Sequence, residues 1–221
     1  MSMEFKDRRD AAVKLYELLK KEKYVNEKAV VVSLLRGGTI IGDYLASKLK
    51  AKHYPLVSVK ISSPYNPELA IGAICFDVTH VNTKIINTLN FSNSQITKQI
   101  KDSEKKMALY CTRFNIEEKK FNNLRDKVVV LTDDGVATGS TLITALEFVK
   151  SKKPYKIILA LPITPGNFSV KGVDKTIIVY KDPALSAISQ YYKYFPQVED
   201  EQIKSLKSLK KNPKSKISNN K

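Results

Sequence analysis

The sequence is poor in the residues from which metal centres and disulfide frameworks are built. It has two cysteines, Cys75 and Cys111, without metal-ligand spacing, and two histidines, His53 and His80, with no carboxylate or cysteine constellation around them. The cysteines therefore read as small hydrophobes in a reducing compartment, and the histidines as structural or exposed residues. No apolar run approaches the ~20 residues that cross a bilayer. Residues 1–10 are charged where a secretory leader would be apolar. No glycine-rich loop ends in Gly-Lys-Ser/Thr, which excludes a Walker nucleotide site. No internal repeat is visible. The expectation is a cytoplasmic protein whose 221 residues, 43% of them hydrophobic, bury one sizeable core.

Acidic residues are outnumbered. Against 38 lysines and arginines stand 22 aspartates and glutamates, a formal charge of +16. That excess suits an anionic small molecule, a nucleic acid or a membrane surface, and charge alone does not choose. Seven lysines and one glutamate lie between Glu201 and Lys221. Residues 1–203 are expected to fold as one domain, with 204–221 as a lysine-rich tail, disordered at its end. Lysines without interleaved aromatics support only nonspecific attraction to nucleic acid.

What is present is concentrated in Val128–Thr141, VVVLTDDGVATGST. Val128–Leu131 reads as a strand buried on both faces, as in a parallel sheet. Asp133 and Asp134 then fall at the strand's carboxyl end, where ligands bind in open α/β sheets. Gly135, Ala137, Gly139 and Ser140 keep the following loop small, and Thr141 leads into a helix with Leu142, Ala145, Leu146 and Val149 on one face. Loop N–H groups and the helix dipole favour a phosphate there, while carboxylates accept hydrogen bonds from hydroxyls. A phosphate beside a vicinal diol is a ribose phosphate. The plain alternative, a strand–loop–helix unit with exposed acids, fits the same residues less well.

The arrangement recurs upstream. Ala29–Leu35 is a second buried-strand run, ending in Arg36-Gly37-Gly38-Thr39 before another helix, IIGDYLASKLK. The arginine fork can donate two parallel hydrogen bonds to a phosphate. Two such turns at one end of a sheet suit two phosphoryl groups with a diol between them.

LTDDGVATGST resembles the phosphoribosyl-pyrophosphate signature of the type I phosphoribosyltransferases. The resemblance covers nearly all of residues 3–203. It implies a doubly wound α/β fold, mostly parallel and flanked by helices, with a small hood and a flap or hairpin. It also implies transfer of a phosphoribosyl group from phosphoribosyl pyrophosphate to a nitrogen acceptor, with a nucleobase in nucleotide salvage as the expected one. Magnesium would be carried on the substrate, with no direct protein ligand assigned. Asp133 and Asp134 would hold the ribose, and Gly135, Val136, Ala137, Thr138, Gly139, Ser140 and Thr141 would enclose its phosphate. Arg36, Gly37, Gly38 and Lys60 would meet pyrophosphate, and Asp133, Asp134 and Arg36 would serve catalysis. In the family the turn similar to Leu34–Gly38 often carries a non-proline cis peptide, and many relatives have proline where this chain has Leu35. The run VKISSPYNPELAIGAI resembles a subgroup of predicted phosphoribosyltransferases whose acceptor is unassigned, with Ser62–Glu68 in a loop that closes over substrate. Family enzymes for 6-oxopurines carry an acidic residue where this chain has Ala137. A homodimer is common in the family. The alternative is a regulator that senses phosphoribosyl pyrophosphate without turning it over and that binds RNA.

The remaining elements follow from periodicity. Glu4–Lys23 and Ser94–Phe114 are expected as amphipathic helices, and Leu56–Ile61, Ala70–Phe76, Val81–Leu89, Lys156–Pro162 and Thr176–Tyr180 as strands. Lys119–Lys127 is expected as a polar turn and Thr164-Pro165-Gly166 as a loop. Near the end, Tyr191, Tyr192, Tyr194 and Phe195 resemble part of the family's hood; one ring can stack on a planar acceptor, and most are expected to pack on the sheet.

Overall fold

The computed structural model describes residues 4–25, 28–206 and 209. The chain enters through α1 (Arg8–Leu19), β1 (Val30–Leu34), α2 (Gly38–Leu49) and β2 (Lys52–Leu56). It then forms β3 (Val59–Ser62), β4 (Ala70–Cys75) and β5 (Val78–Val81), followed by α3 (Thr83–Thr88) and the long α4 (Asn93–Phe114). The second half consists of β6 (Val128–Thr132), α5 (Ser140–Ser151), β7 (Lys156–Pro165), β8 (Lys175–Asp182) and α6 (Asp200–Ser205).

Five of the strands make one parallel sheet in the order β2-β1-β6-β7-β8. Side chains alternate across a strand, so the continuous apolar runs of β1 and β6 supply two cores at once. Val30, Val32, Leu34, Val129 and Leu131 join Leu142, Leu146 and Phe148 of α5 and Phe114 of α4 on one face. Val31, Val128 and Val130 join Ala11, Leu15 and Leu19 of α1 and Ile41 and Leu45 of α2 on the other. Each of the larger fully buried side chains contributes roughly 1.5–3 kcal/mol. Helices on both faces of a parallel sheet cover the two apolar runs and make the doubly wound architecture that the family resemblance implied.

The β3-β4-β5 meander is a separate antiparallel sheet. With α3 it closes a small core of Ile61, Ile71, Ile86 and Phe91. Two expected strands are corrected here. Leu56–Ile61 is not one strand: β2 ends at Leu56 on the parallel sheet and β3 begins at Val59 on the meander. Between them the Ser58 hydroxyl donates to the carbonyl of Thr141, in the first turn of α5, at 2.9 Å, which ties the chain to α5 where it changes sheets. Val81–Leu89 is not a strand beyond Val81, because Asn82 caps α3 by accepting from the Ile85 N–H at 3.1 Å.

Boundaries shift elsewhere for similar local reasons. The first helix begins at Arg8, since Asp7 caps it by accepting from the Asp10 N–H at 2.8 Å, and Phe5 instead bridges to Tyr192. The expected polar turn holds a 3-10 helix, Glu118–Leu124, that buries Phe121 and Leu124. Strand β7 runs on through Thr164 and Pro165, the first two residues of the expected loop. Of the expected tail, residues 207, 208 and 210–221 lie outside the described residues.

Candidate active site

Strand β1 is flanked by β2 on one side and β6 on the other, so the connections leaving β1 and β6 turn to opposite faces of the sheet. A crevice opens at such a switch point, outside the carboxyl ends of the strands. The two motifs singled out in the sequence lie there. Asp133 and Asp134 follow β6, and Arg36-Gly37-Gly38 follows β1 across a cis Leu35–Arg36 peptide bond.

The glycines allow the two turns to touch. A methyl group on Gly37 would lie 1.7 Å from Asp134 Oδ2, and one on Gly38 would lie 2.7 Å from Asp133 Oδ1. Both are closer than any side chain tolerates, so only Gly-Gly permits this approach. Gly139 serves differently. Its φ of 83° is left-handed, and it begins α5 without a side-chain cap, so no capping side chain takes up the first N–H groups of the helix. Ala137 and Thr138 are exposed, and Ser140 and Thr141 half-exposed, so the loop's rim is open to a ligand.

Two adjacent carboxylates in a buried turn must lose hydration and repel each other. Burial and the neighbouring Asp134 charge push the Asp133 carboxyl well above the usual carboxylate range, despite the Asp134 N–H donated to its Oδ1 at 2.9 Å. Burial also raises Asp134, and the Arg8 guanidinium opposes that shift. Asp134 is therefore the member of the pair that stays ionised more readily.

Arg8 is the functional neighbour that sequence reasoning missed. Its Nε donates to Asp134 Oδ2 at 2.7 Å and its Nη1 to the Pro196 carbonyl at 2.7 Å, while the guanidinium lies 3.7 Å from the Phe195 ring centroid. Tyr192 adds a hydroxyl donated to the Asp134 carbonyl at 2.7 Å. One signal was available: Arg8 and Arg9 occupy the first turn of a helix, where the dipole disfavours positive charge.

The other expected residues are placed as follows. Arg36 donates through Nε to the Val198 carbonyl at 2.8 Å and through Nη2 to Asp200 Oδ1 at 2.6 Å, and Arg113 holds the second Asp200 oxygen at 2.8 Å. Lys60 stands on β3 of the meander, where its ammonium meets the Glu68 carbonyl at 3.2 Å and carboxylate at 3.9 Å. The expected closing loop, Ser62–Glu68, is pinned by Ser63 N–H to the Leu69 carbonyl at 2.8 Å. His53 is buried against Ser33, 2.6 Å from its hydroxyl, with Asp43 Oδ1 3.9 Å from its other nitrogen; burial lowers its pKa to about 3. Cys75 and Cys111 are free, and burial raises both thiols.

Among the described residues no three His, Cys, Asp or Glu side chains converge to hold a metal ion. Magnesium characteristically needs only one or two carboxylates beside substrate phosphates and water. An acidic pair next to an arginine-glycine turn is compatible with an ion carried in on a phosphorylated substrate.

Comparison with known proteins agrees with this arrangement. The family model for the phosphoribosyl transferase domain matches residues 4–183. Protein Rv0571c of Mycobacterium tuberculosis, provisionally named a phosphoribosyl transferase, is 30% identical over 210 residues, which are 90% of this chain and 45% of that protein. The same figures hold for its counterpart MT0597 in a second strain, so the chain spans about half the length of the curated relatives it matches. The crystal structure of TT1426 from Thermus thermophilus superposes with a TM-score of 0.68 at 25% identity, covering 93% of this chain and 98% of that one. With its parallel sheet, its acidic turn and this match across residues 4–183, the chain belongs to the phosphoribosyl transferase domain family, as its type I motif implied.

Proposed function

We propose that this chain transfers a phosphoribosyl group from phosphoribosyl pyrophosphate to a nitrogen acceptor, a nucleobase by preference, with release of pyrophosphate. The observation that carries the reading is the direct abutment of the Arg36-Gly37-Gly38 turn on the Asp133–Asp134 pair at the switch point of the sheet. One donor molecule with a diol between two phosphoryl groups fits across that seam.

In this reading Asp133 and Asp134 meet the ribose hydroxyls, and the charge of the pair, carried more readily by Asp134, lies near the positive charge that grows on the sugar as pyrophosphate departs. The N–H groups from Ala137 to Thr141 and the amino end of α5 hold the 5-phosphate. Arg36 and the Gly37–Gly38 backbone take the pyrophosphate, with Lys60 as a second cation once it exchanges its Glu68 contact. Magnesium, if carried in on the diphosphate beside the Asp133–Asp134 pair, would neutralise the leaving group's charge. Ala137 offers no carboxyl for an acceptor proton, so the reading does not extend to 6-oxopurine specificity. The family resemblance carries with it nucleotide salvage, a cytoplasmic location and a homodimer.

Pyrophosphate release, measured with magnesium across nucleobases and amine acceptors, tests the proposal. Release with one acceptor, abolished by Asp134→Ala, is the expected result. A chain that binds no phosphoribosyl pyrophosphate overturns it.

A further inference from the structure

We propose that Arg8 is a positioning residue for the donor's ribose: it fixes the Asp134 carboxylate against the hood, so that Asp134 meets the sugar in one orientation. The inference rests on the donor reading above and concerns a residue that lies 126 positions from Asp134 in the chain.

Three contacts converge on one planar group. Arg8 grips Asp134 Oδ2 through Nε at 2.7 Å, grips the Pro196 carbonyl through Nη1 at 2.7 Å, and lies 3.7 Å from the Phe195 ring centroid. The Phe195 ring in turn lies 4.6 Å from that of Tyr192, whose hydroxyl holds the Asp134 carbonyl. Asp134 is thus held at its carboxylate and at its backbone by groups anchored in residues 192–196. A fork with donors at fixed angles can make these contacts together, and a lysine ammonium on its flexible stem cannot.

The location separates this from an ordinary structural ion pair. Arg8 and Asp134 side chains are only 11% and 13% exposed, and a methyl group on Gly37 would lie 2.9 Å from Arg8 Nε. The pair therefore lies directly against the turn assigned to pyrophosphate. A cation in the first turn of α1 is opposed by the helix dipole, so the position does not serve the helix. With Oδ2 committed to Arg8, the carboxylate cannot rotate freely, and its other oxygen becomes the acceptor for a ribose hydroxyl. Fixing an acceptor before the ligand arrives lowers the reorganisation that binding requires.

The test is calorimetric binding of two probes, ribose 5-phosphate and inorganic pyrophosphate, to the full chain and to Arg8→Ala, Arg8→Lys, Asp134→Asn and the Arg8→Ala/Asp134→Asn double variant. Arg8→Ala should weaken ribose 5-phosphate about ten- to a hundredfold while pyrophosphate changes less than about twofold. In the Asp134→Asn background the same substitution should cost little more, because both act through one carboxylate. Arg8→Lys should recover only a small part of the loss. If Arg8→Ala fails to fold by circular dichroism, Arg8→Lys decides by the same selectivity between probes. Equal weakening of both probes, an additive double variant, or Arg8→Lys behaving as wild type would overturn the assignment. A wild-type chain that binds neither probe would overturn the donor reading itself and this inference with it.

Discussion

Gly37→Ala is the smallest change that reaches the site, and its effect can be worked from the geometry. Gly37 has φ −63° and ψ −39°, an α-helical conformation that alanine adopts without strain. Backbone preference alone would make the substitution harmless or slightly stabilising. The added methyl group, however, would lie 1.7 Å from Asp134 Oδ2, 2.5 Å from its Cγ and 2.9 Å from Arg8 Nε. Asp134 must swing away, which breaks its 2.7 Å contact with Arg8 while both groups remain largely buried. Overpacking costs about 1–3 kcal/mol, and stripping a buried charge of its partner costs about 3–5 kcal/mol when nothing replaces it. Partial re-pairing puts the sum at about 3 kcal/mol, a fall of about 6–12 °C in Tm for a domain of this size. Thermal unfolding by circular dichroism, with ribose 5-phosphate binding by calorimetry, measures both consequences.

Gly139→Ala is the control, because there the reasoning reverses. Its φ of 83° makes an alanine strained by about 1–2 kcal/mol, but the nearest atom to the new methyl group, Val136 Cγ1, lies 3.5 Å away and no carboxylate is touched. Gly37→Ala should therefore be the more damaging of the two in Tm. A Gly37→Ala protein with wild-type Tm and affinity would refute the close packing of the two turns.

Two further expectations concern Asp200 and His53. Asp200→Asn should raise affinity for inorganic pyrophosphate several-fold, because Arg36 is now held by Asp200 Oδ1 at 2.6 Å and an amide holds it less strongly; a drop in affinity would mean that Asp200 aims Arg36 at the ligand. His53 gives a pH signature. With its pKa lowered to about 3 by burial, against an ordinary 6.5, the folded chain binds fewer protons than the unfolded chain between those values. Its contribution to stability is complete above about pH 6.5 and is lost as pH falls towards 3. In urea unfolding, any advantage of wild type over His53→Gln should shrink from pH 7 to pH 4, and a constant difference would exclude a buried neutral imidazole.

The parts of this molecule legible in the sequence are those whose causes are local. Val30–Leu34 and Val128–Thr132 are apolar without alternation, so both faces had to be covered, and a parallel sheet between helix layers followed. Each run ends in small residues before a helical repeat, which placed both turns at one end of the sheet. The errors also have local causes. Asn82 caps a helix through an amide whose role depends on the backbone already turning, and the β-branched residues after it hid that. Leu56–Ile61 reads as one apolar segment, yet Ser58 marks where it changes sheets through a bond to Thr141, 83 residues away. The partners of Arg8 and Asp200 were beyond reach because they lie 126 and 164 positions off, and no periodicity spans such distances; the first-turn position of Arg8 could mark the residue but not its partner.

Those long-range pairs change what the hood can do. Arg8 binds the Pro196 carbonyl and Asp134, and Arg36 binds the Val198 carbonyl and Asp200, so residues 196–200 are tied to both turns. An acceptor that stacks on the hood must then find a ring these contacts have not used. Phe195 is engaged by the Arg8 guanidinium and by the Tyr192 ring. Tyr192 is buried against Phe5, with ring centroids 5.1 Å apart, and its hydroxyl serves Asp134. Tyr191 donates its hydroxyl to Asp182 at the end of β8, and that bond holds the phenol's pKa up at about 12. Tyr194 is different: its N–H is tied to the Lys6 carbonyl, yet the residue is 68% exposed. Of the four hood aromatics, Tyr194 alone has the backbone fixed and the ring open. In the proposed reading a planar acceptor would therefore sit on Tyr194, and Tyr194→Ala would weaken acceptor binding while leaving the Arg8–Asp134 contact in place.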